Sequence, residues 1–425
     1  MRRGGLQKLP PAHAGVFDLE RGDFRTRRYW QLPGTDPDSA RGVSGEELAE
    51  QAWSLLTDSV RLRLRSDVPT GVFLSGGLDS SLVTAAAAQV PGQPIKTFTI
   101  GVPGSALDET AHAALVARAF DTEHQVLPIA APSLDVLDDL APFIDEPIAD
   151  SSILPTFLVS RLTRQQVTVA LGGDGGDELY GGYRHYQNAL RDQARLGWMA
   201  TPALRLAAQL AATLPAGIPG RNRIASLRGG PTQSSIWGTP YFDLTLRRRL
   251  LTSKVLAELG DTIDAPERRS LTLFRQGQDP VDALTRLDFQ QVLPDDYLVK
   301  VDRASMANSL EVRTPFLDHR LVQHAFGAIP SEWKCSVTER RRVQNLMAKR
   351  HLPAGFELNR KQGFSVPMDG WVREHTIGER LQKLPSEVVN ASFVQKLITG
   401  QRQGRTNGAR LFSLMVLLLT VPRST

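Results

Sequence analysis

Cysteine is almost missing: Cys335 is the single cysteine in 425 residues. That excludes an intrachain disulfide framework and a cysteine-rich zinc site, fits a reducing cytoplasm, and leaves Cys335 to be read as a packing residue. No apolar run reaches the roughly 20 residues that cross a bilayer. The longest, residues 411–421, is about half that length and is expected to be a terminal helix docked on the core, with no membrane contact. The opening Met1-Arg2-Arg3-Gly4-Gly5 lacks the apolar stretch of a signal peptide. Internal repeats and low-complexity tracts are lacking as well. Excess charge of one sign is small, 50 Lys+Arg against 45 Asp+Glu. The arginines fall in short runs (Arg25-Thr26-Arg27-Arg28, Arg247-Arg248-Arg249, Arg340-Arg341-Arg342) without interleaved aromatics, which argues against nucleic-acid binding. Solvated faces and an anionic nucleotide site explain them better.

What is present starts with length. A chain of 425 residues with 41% hydrophobic content can bury the cores of two or three globular domains. Gly71-Val72-Phe73-Leu74-Ser75-Gly76-Gly77-Leu78-Asp79-Ser80-Ser81 reads as a buried strand, a tight glycine turn and a helix beginning near Ser80. Unpaired amides in the first turn of a helix, together with its dipole, attract anions, and the glycines let a phosphate approach the backbone. The loop has neither the Gly-Lys-Ser/Thr of a Walker A motif nor a dinucleotide fingerprint.

In chain order, residues 1–40 hold short β-like pieces, among them residues 15–19 and 28–33. They are too short to form a domain alone. From Ser44 to about Arg65 the apolar spacing turns helical, with Ser44 and Glu47 placed as a capping box. Strands follow the phosphate-type loop at residues 95–101, 122–127 and 167–171, alternating with helices at 108–120, near 134–140 and at 152–164. This alternation predicts an α/β fold with a doubly wound parallel sheet, its ligands at the carboxyl ends of the strands. The segment from about residue 41 to 190 is expected to be that domain, and residues 191–425 a largely helical C-terminal half, broken near 215–220 and 229–231.

Directly after the fourth strand comes Gly172-Gly173-Asp174-Gly175-Gly176-Asp177-Glu178-Leu179-Tyr180-Gly181-Gly182-Tyr183. Glycines around acidic side chains can bring carboxylates and amides to a polyphosphate, with Mg²⁺ between carboxylate and phosphate oxygens; a surface calcium loop is the bland alternative. In the helical half, residues 293–307 lead to Leu310-Glu311-Val312-Arg313-Thr314-Pro315-Phe316-Leu317-Asp318, where Arg313 and Asp318 read as structural ties. Lys361, in Asn359-Arg360-Lys361-Gln362-Gly363-Phe364, is a cation suited to neutralising charge on a phosphate or a tetrahedral intermediate. A solvated surface lysine is its alternative.

Ser75 to Ser81 resembles the pyrophosphate loop of the N-type ATP pyrophosphatases, whose fold is that of the adenine nucleotide α-hydrolases. The later segments are similar to signatures of the asparagine synthetase family, in matching order from about residue 6 to the C-terminus. The resemblance implies a two-step ligase, in which a carboxylate, aspartate by default, is activated by ATP as an acyl-adenylate with release of Mg-pyrophosphate. Ammonia or another amine then displaces AMP. It also implies roles: Ser75, Gly76, Gly77, Asp79 and Ser80 for pyrophosphate, Leu74, Ile100, Gly172 and Gly173 for the nucleotide, and Asp79 and Asp177 for Mg²⁺. Asp174 and Lys361 would serve the intermediate. Asp174 stands where the family's β-lactam-forming relatives have a tyrosine, which points towards an external amine.

At its front the chain departs from the family, whose glutamine-dependent members begin with a glutaminase domain carrying an N-terminal cysteine nucleophile. Here Met1 is followed by Arg2, and residues 6–33 resemble only the last strands of such a domain and the linker after it. Glutamine hydrolysis by this chain alone is therefore not expected. The ammonia source is left open between free ammonia or another amine, a separate glutaminase, and a truncated gene; a homodimer is left open too. The competing readings are a natural-product or peptide amide ligase of the lasso-peptide cyclase or β-lactam synthetase type, and a degenerate nucleotide-binding subunit.

Overall fold

In a computed structural model, the described residues are 8–34, 42–92, 94–101, 108–128, 134–358, 368–374 and 377–420. Lys361 lies outside them.

Five parallel strands form the central sheet: β3 (Thr70–Phe73), β4 (Lys96–Gly101), β5 (Glu123–Pro128), β6 (Val169–Leu171) and β7 (Glu311–Arg313), in the order β5-β4-β3-β6-β7. From β3 the chain winds outward through β4 to β5, then returns to the other side of β3 as β6. The winding therefore reverses between β3 and β6, where the loops after two adjacent strands diverge and leave a crevice. Both glycine-rich stretches leave the sheet there.

The connecting helices follow the sequence pattern closely. α1 (Gly45–Arg63) starts at the expected capping box: Ser44 Oγ accepts from Glu47 N at 3.2 Å, and Glu47 Oε2 accepts from Ser44 N at 2.8 Å. Its apolar stripe of Leu48, Ala52, Leu56 and Val60 is fully buried against α2 (Leu78–Ala88), Phe326 and Met347. α3 (Thr110–Ala119), α4 (Leu134–Leu140) and α5 (Ile153–Thr163) complete the alternation. The terminal helix Gly408–Thr420 buries Leu411, Phe412, Leu414, Met415 and Val416 in a second core with α4 and α5, as its apolar run led us to expect. Among the described residues no helix is long and apolar enough to cross a membrane.

Four local readings are corrected. The first hairpin is β1 (His13–Asp18) and β2 (Asp23–Arg28), so the return strand begins earlier than residue 28. Asp18 Oδ1 takes the amides of Glu20 and Arg21, closing a turn that pairs Asp18 with Asp23 and fixes the register. The helix after the phosphate-type loop begins at Leu78, two residues before Ser80, with Gly77 in extended backbone at the position just before it. The acidic glycine stretch is not an open loop throughout: Gly176–Tyr180 forms a one-turn helix, α6, closed at both ends by glycine. Finally, the helical half contributes β7. Three residues are too few for a period-2 signal, and pairing to β6 makes them a strand.

Arg313 and Asp318 are structural, but not as a mutual pair. Arg313 Nη1 donates to the carbonyls of Arg63 and Arg65 at 2.7 and 2.9 Å, while Asp318 binds Arg63 at 3.1 Å and Arg320 at 2.9 Å. Cys335 is buried, and burial pushes its thiol up to about 12, as suits a packing residue. Its neighbour Lys334 is also buried, with Nζ 4.2 Å from the centre of the Phe326 ring. Burial lowers its ammonium from an ordinary 10.5 to about 7, against the pull of Asp282. Between those values the unfolded chain holds a proton that the folded chain has lost, so this residue makes stability rise with pH from about 7 to 10.5. Lys334→Met should therefore raise the urea midpoint most near pH 7 and least near pH 10.5.

Candidate active site

Between β3 and α2 the chain turns through Ser75-Gly76-Gly77. Gly76 adopts φ +73°, and a Cβ there would stand 2.7 Å from the backbone nitrogen of Ala113, so glycine is needed both for the turn and for the approach of α3. The two serines hold the loop. Ser75 N and Ser75 Oγ reach Ser80 Oγ at 3.2 and 3.0 Å, Gly77 N donates to Ser75 Oγ at 3.2 Å, and Ser80 Oγ donates to Gly77 O at 3.1 Å. α2 starts at Leu78, and Gly77 before it leaves the first amides with no side-chain cap. A helix N-terminus with its amides and dipole facing a cavity is suited to an anion.

That cavity measures about 440 Å³. Leu74, Ser75, Gly77, Asp79, Ser80 and Ile100 line it from the β3 and β4 ends, and Gly172, Gly173, Asp174 and Asp177 from the β6 end. Every sequence-predicted site residue among the described ones is thereby brought to one place, except Gly76, which supports the loop from behind. Lys361 is the remaining candidate, outside the described residues.

The two metal candidates meet at one cation. Arg341 Nη2 donates to Asp79 Oδ2 at 3.4 Å and to Asp177 Oδ1, while Gln344 Nε2 holds Asp79 Oδ1 at 2.8 Å. Two carboxylates from separate glycine stretches thus converge on one nitrogen of a single guanidinium. This donor set fits Mg²⁺, which commonly takes one or two carboxylates and completes its shell with substrate phosphates and water. Among the described residues no cluster of three or more His, Cys, Asp or Glu could form an all-protein cage.

Arg341 is held under tension. It has φ +56° and ψ 36°, a left-handed conformation unusual for a residue other than glycine, at the start of the helix Arg342–His351. Its side chain is only 8% exposed and its Nε is buried with no hydrogen-bond partner. Strain of this kind persists where the surroundings fix a residue in place, commonly at a functional site. Gly182, from the second glycine stretch, fits against both groups: a Cβ there would lie 1.7 Å from Asp177 Oδ1 and 2.5 Å from Arg341 Nε.

The rest of the wall is acidic and aromatic. Desolvation raises the Asp174 carboxyl, opposed by the charge of Lys300. Glu178 is 1% exposed, accepts from Tyr183 OH at 2.7 Å, and is pushed up to about 8 by burial and then by neighbouring Asp177. Behind it, Asp288 takes His185 Nε2 and Tyr186 OH, both at 2.7 Å. Asp288 opens a π-helical stretch, Asp288–Tyr297, that contains Pro294 and runs into the helix Leu298–Met306. Widened turns of this kind recur at functional sites. This one brings Leu293, Tyr297 and Lys300 to the cavity, where Lys300 Nζ pairs with Asp150 at 3.2 Å.

Reading the sequence missed Arg341, Lys300, Asp150 and Glu178 as site residues. Glu178 stood inside the acidic glycine stretch and Lys300 inside a motif, so both had a signal. Arg341 had only its arginine run, and Asp150 had none.

A family model described as asparagine synthase matches residues 51–421. A Mycobacterium bovis protein provisionally named asparagine synthetase [glutamine-hydrolyzing] is 29% identical over 97% of this chain and 65% of its own length. Asparagine synthetase [glutamine-hydrolyzing] 1 of Bacillus subtilis is 28% identical over 83% of this chain and 54% of its own. At greater distance, the Amidase chry2 of Gibberella zeae is 23% identical over 77% of the chain and 52% of its own length. The chain thus spans under two thirds of the length of these curated relatives. With the family match covering the sheet, both glycine stretches and the helices that complete the cavity, the chain belongs to the asparagine synthase family.

Proposed function

We propose that this chain is an ATP-dependent amide ligase that activates a carboxylate, aspartate in the first instance, and transfers ammonia or another amine to it. The observation that carries the reading is the convergence of Asp79 and Asp177, from the two glycine stretches, on one cationic position beside an uncapped helix N-terminus.

The first step makes an oxygen–phosphorus bond between the carboxylate and the α-phosphate and breaks the α–β phosphoanhydride, releasing pyrophosphate. In the second, the amine nitrogen attacks the acyl carbon, the bond to AMP breaks, and the nitrogen loses a proton. The α2 amides with Ser75 and Ser80 would bind pyrophosphate oxygens, and Arg341 would offset charge between the two loops. Leu74, Ile100, Gly172 and Gly173 would hold the nucleotide, and Asp174 and Lys361 would act on the intermediate. Asp79 and Asp177 would hold Mg²⁺, which neutralises charge on the departing pyrophosphate. Organising these groups before the substrate arrives lowers the cost of bringing two anions together. We place the reaction in the cytoplasm, with ammonia free or supplied by a separate glutaminase.

The test is pyrophosphate release from ATP and Mg²⁺ with aspartate, with and without ammonium. The expected result is aspartate-dependent release, with asparagine formed only when ammonium is added. ATP binding without release on aspartate would turn the search to other carboxylates. Loss of ATP binding as well would leave a degenerate subunit.

A further inference from the structure

We infer that a second cavity, in the helical half and apart from the glycine stretches, binds a small organic phosphate monoester through Arg249, Lys396 and Arg405. It shares no lining residue with the cavity described above. The inference therefore stands independently of the amide-ligase reading.

The cavity measures about 270 Å³ and is enclosed by the chain after the helix Thr201–Thr213, by the helix Leu244–Leu250, and by the helix Ala391–Arg402 with the turn that follows it. Among the described residues that line it there are three cations and no Asp or Glu. Of the run Arg247-Arg248-Arg249, Arg247 is paired with Glu267 at 2.6 Å. Arg249 instead lies over the Phe393 ring, 4.9 Å from its centre. Among the described residues, neither it nor Lys396 nor Arg405 forms an ion pair.

Arg405 is built into the wall. Its backbone N donates to Gly400 O at 2.9 Å, and Thr406 N donates to Gly217 O at 3.1 Å. A Cβ on Gly400 would stand 3.2 Å from Arg405 Cδ, and one on Gly217 2.9 Å from Arg405 Cβ, so both glycines make room for the arginine. A helix C-terminus also attracts cations, which is the plain alternative for Lys396 and Arg405. Here the last carbonyls already have backbone donors: Gln403 N reaches Thr399 O at 3.0 Å, and Gly404 N reaches Gln401 O at 3.1 Å. The two side chains line the cavity instead.

Charge and shape decide which ligand fits. Three cations around one cavity repel each other, and a bound anion removes that repulsion. A phosphate monoester carries about −1.5 to −2 charges at pH 7 and three acceptor oxygens, which suit two guanidinium forks and an ammonium. A lone carboxylate brings less charge and fewer oxygens. The floor is apolar, with Phe393, Leu397 and Pro215, so it favours an ester whose organic part is apolar too. The volume falls just below the roughly 300 Å³ at which sites for drug-sized ligands begin, so that part is small.

The test is calorimetric titration of the full chain with phenyl phosphate and, separately, with benzoate, which has the same ring and a carboxylate. Phenyl phosphate should bind the unaltered protein more tightly than benzoate. Arg249→Gln and Arg405→Gln should each weaken its binding by about tenfold or more, the size of a lost charge-assisted hydrogen bond. Lys396→Gln should weaken it less, because Lys396 is exposed. Arg405→Lys, which keeps the charge but loses the fork, should fall between the unaltered protein and Arg405→Gln. Ser80→Ala, in the catalytic loop, should leave the affinity unchanged. Thermal transitions of the variants verify that each is folded. Absence of binding to the unaltered protein, or binding that ignores the Arg249 and Arg405 substitutions and weakens with Ser80→Ala, would overturn the assignment. Equal affinity for benzoate would overturn its phosphate class.

Discussion

Arg341→Ala is expected to slow pyrophosphate release by about 10²- to 10³-fold, the range for losing one preorganised charged donor. The guanidinium touches carboxylates of both glycine stretches, Asp79 at 3.4 Å and Asp177, so one truncation loosens the two loops together. Stability should fall as well, because a buried charge-assisted hydrogen bond contributes about 1.5–3 kcal/mol. Relief of left-handed backbone strain at Arg341 does not accompany the change, since alanine has the same Cβ. Single-turnover pyrophosphate release and urea unfolding, each with and without Mg²⁺, check both parts. A rate within a few-fold of the unaltered protein would show that Arg341 is only a strut.

Gly182→Ala should cost at least about 10²-fold in the same assay, since displacements on the order of 1 Å at a reacting centre have effects of that size. The added Cβ would lie 1.7 Å from Asp177 Oδ1 and 2.5 Å from Arg341 Nε. Both cannot stay where they are. The backbone of Gly182 is not left-handed, so alanine itself is tolerated and the damage falls on the site rather than on the chain's path. The discriminating result is an enzyme with a near-normal thermal transition and a raised Mg²⁺ requirement. Unchanged turnover would mean that Asp177 can move without consequence, against its proposed role as a metal ligand.

Much of the fold was open to reading because the relevant signals are local. Ser44 and Glu47 lie three apart, so the capping box that starts α1 is written in consecutive residues. The strand, Ser-Gly-Gly turn and helix around Asp79 are equally contiguous, and so is the acidic glycine stretch after β6. Residue order along such a segment fixes its local geometry almost completely, which is why the strand, turn and helix could be read before any coordinates; the roles expected of its residues came from the family resemblance. β7 was hidden because three residues acquire strand character only from the neighbour to which they pair.

The sequence by itself determined the chemistry that the two glycine stretches can present: amides, serine hydroxyls and carboxylates at the carboxyl ends of parallel strands. Only the tertiary structure decided what stands opposite them. Arg341 reaches Asp79 and Asp177 across 262 and 164 positions of sequence, and Lys300 reaches Asp150 across 150. Nothing local to an arginine run or a lone aspartate encodes those meetings. They follow from the winding that sets β3 beside β6 and from the packing of the helical half over the crevice between them, where burial turns scattered charges into a site.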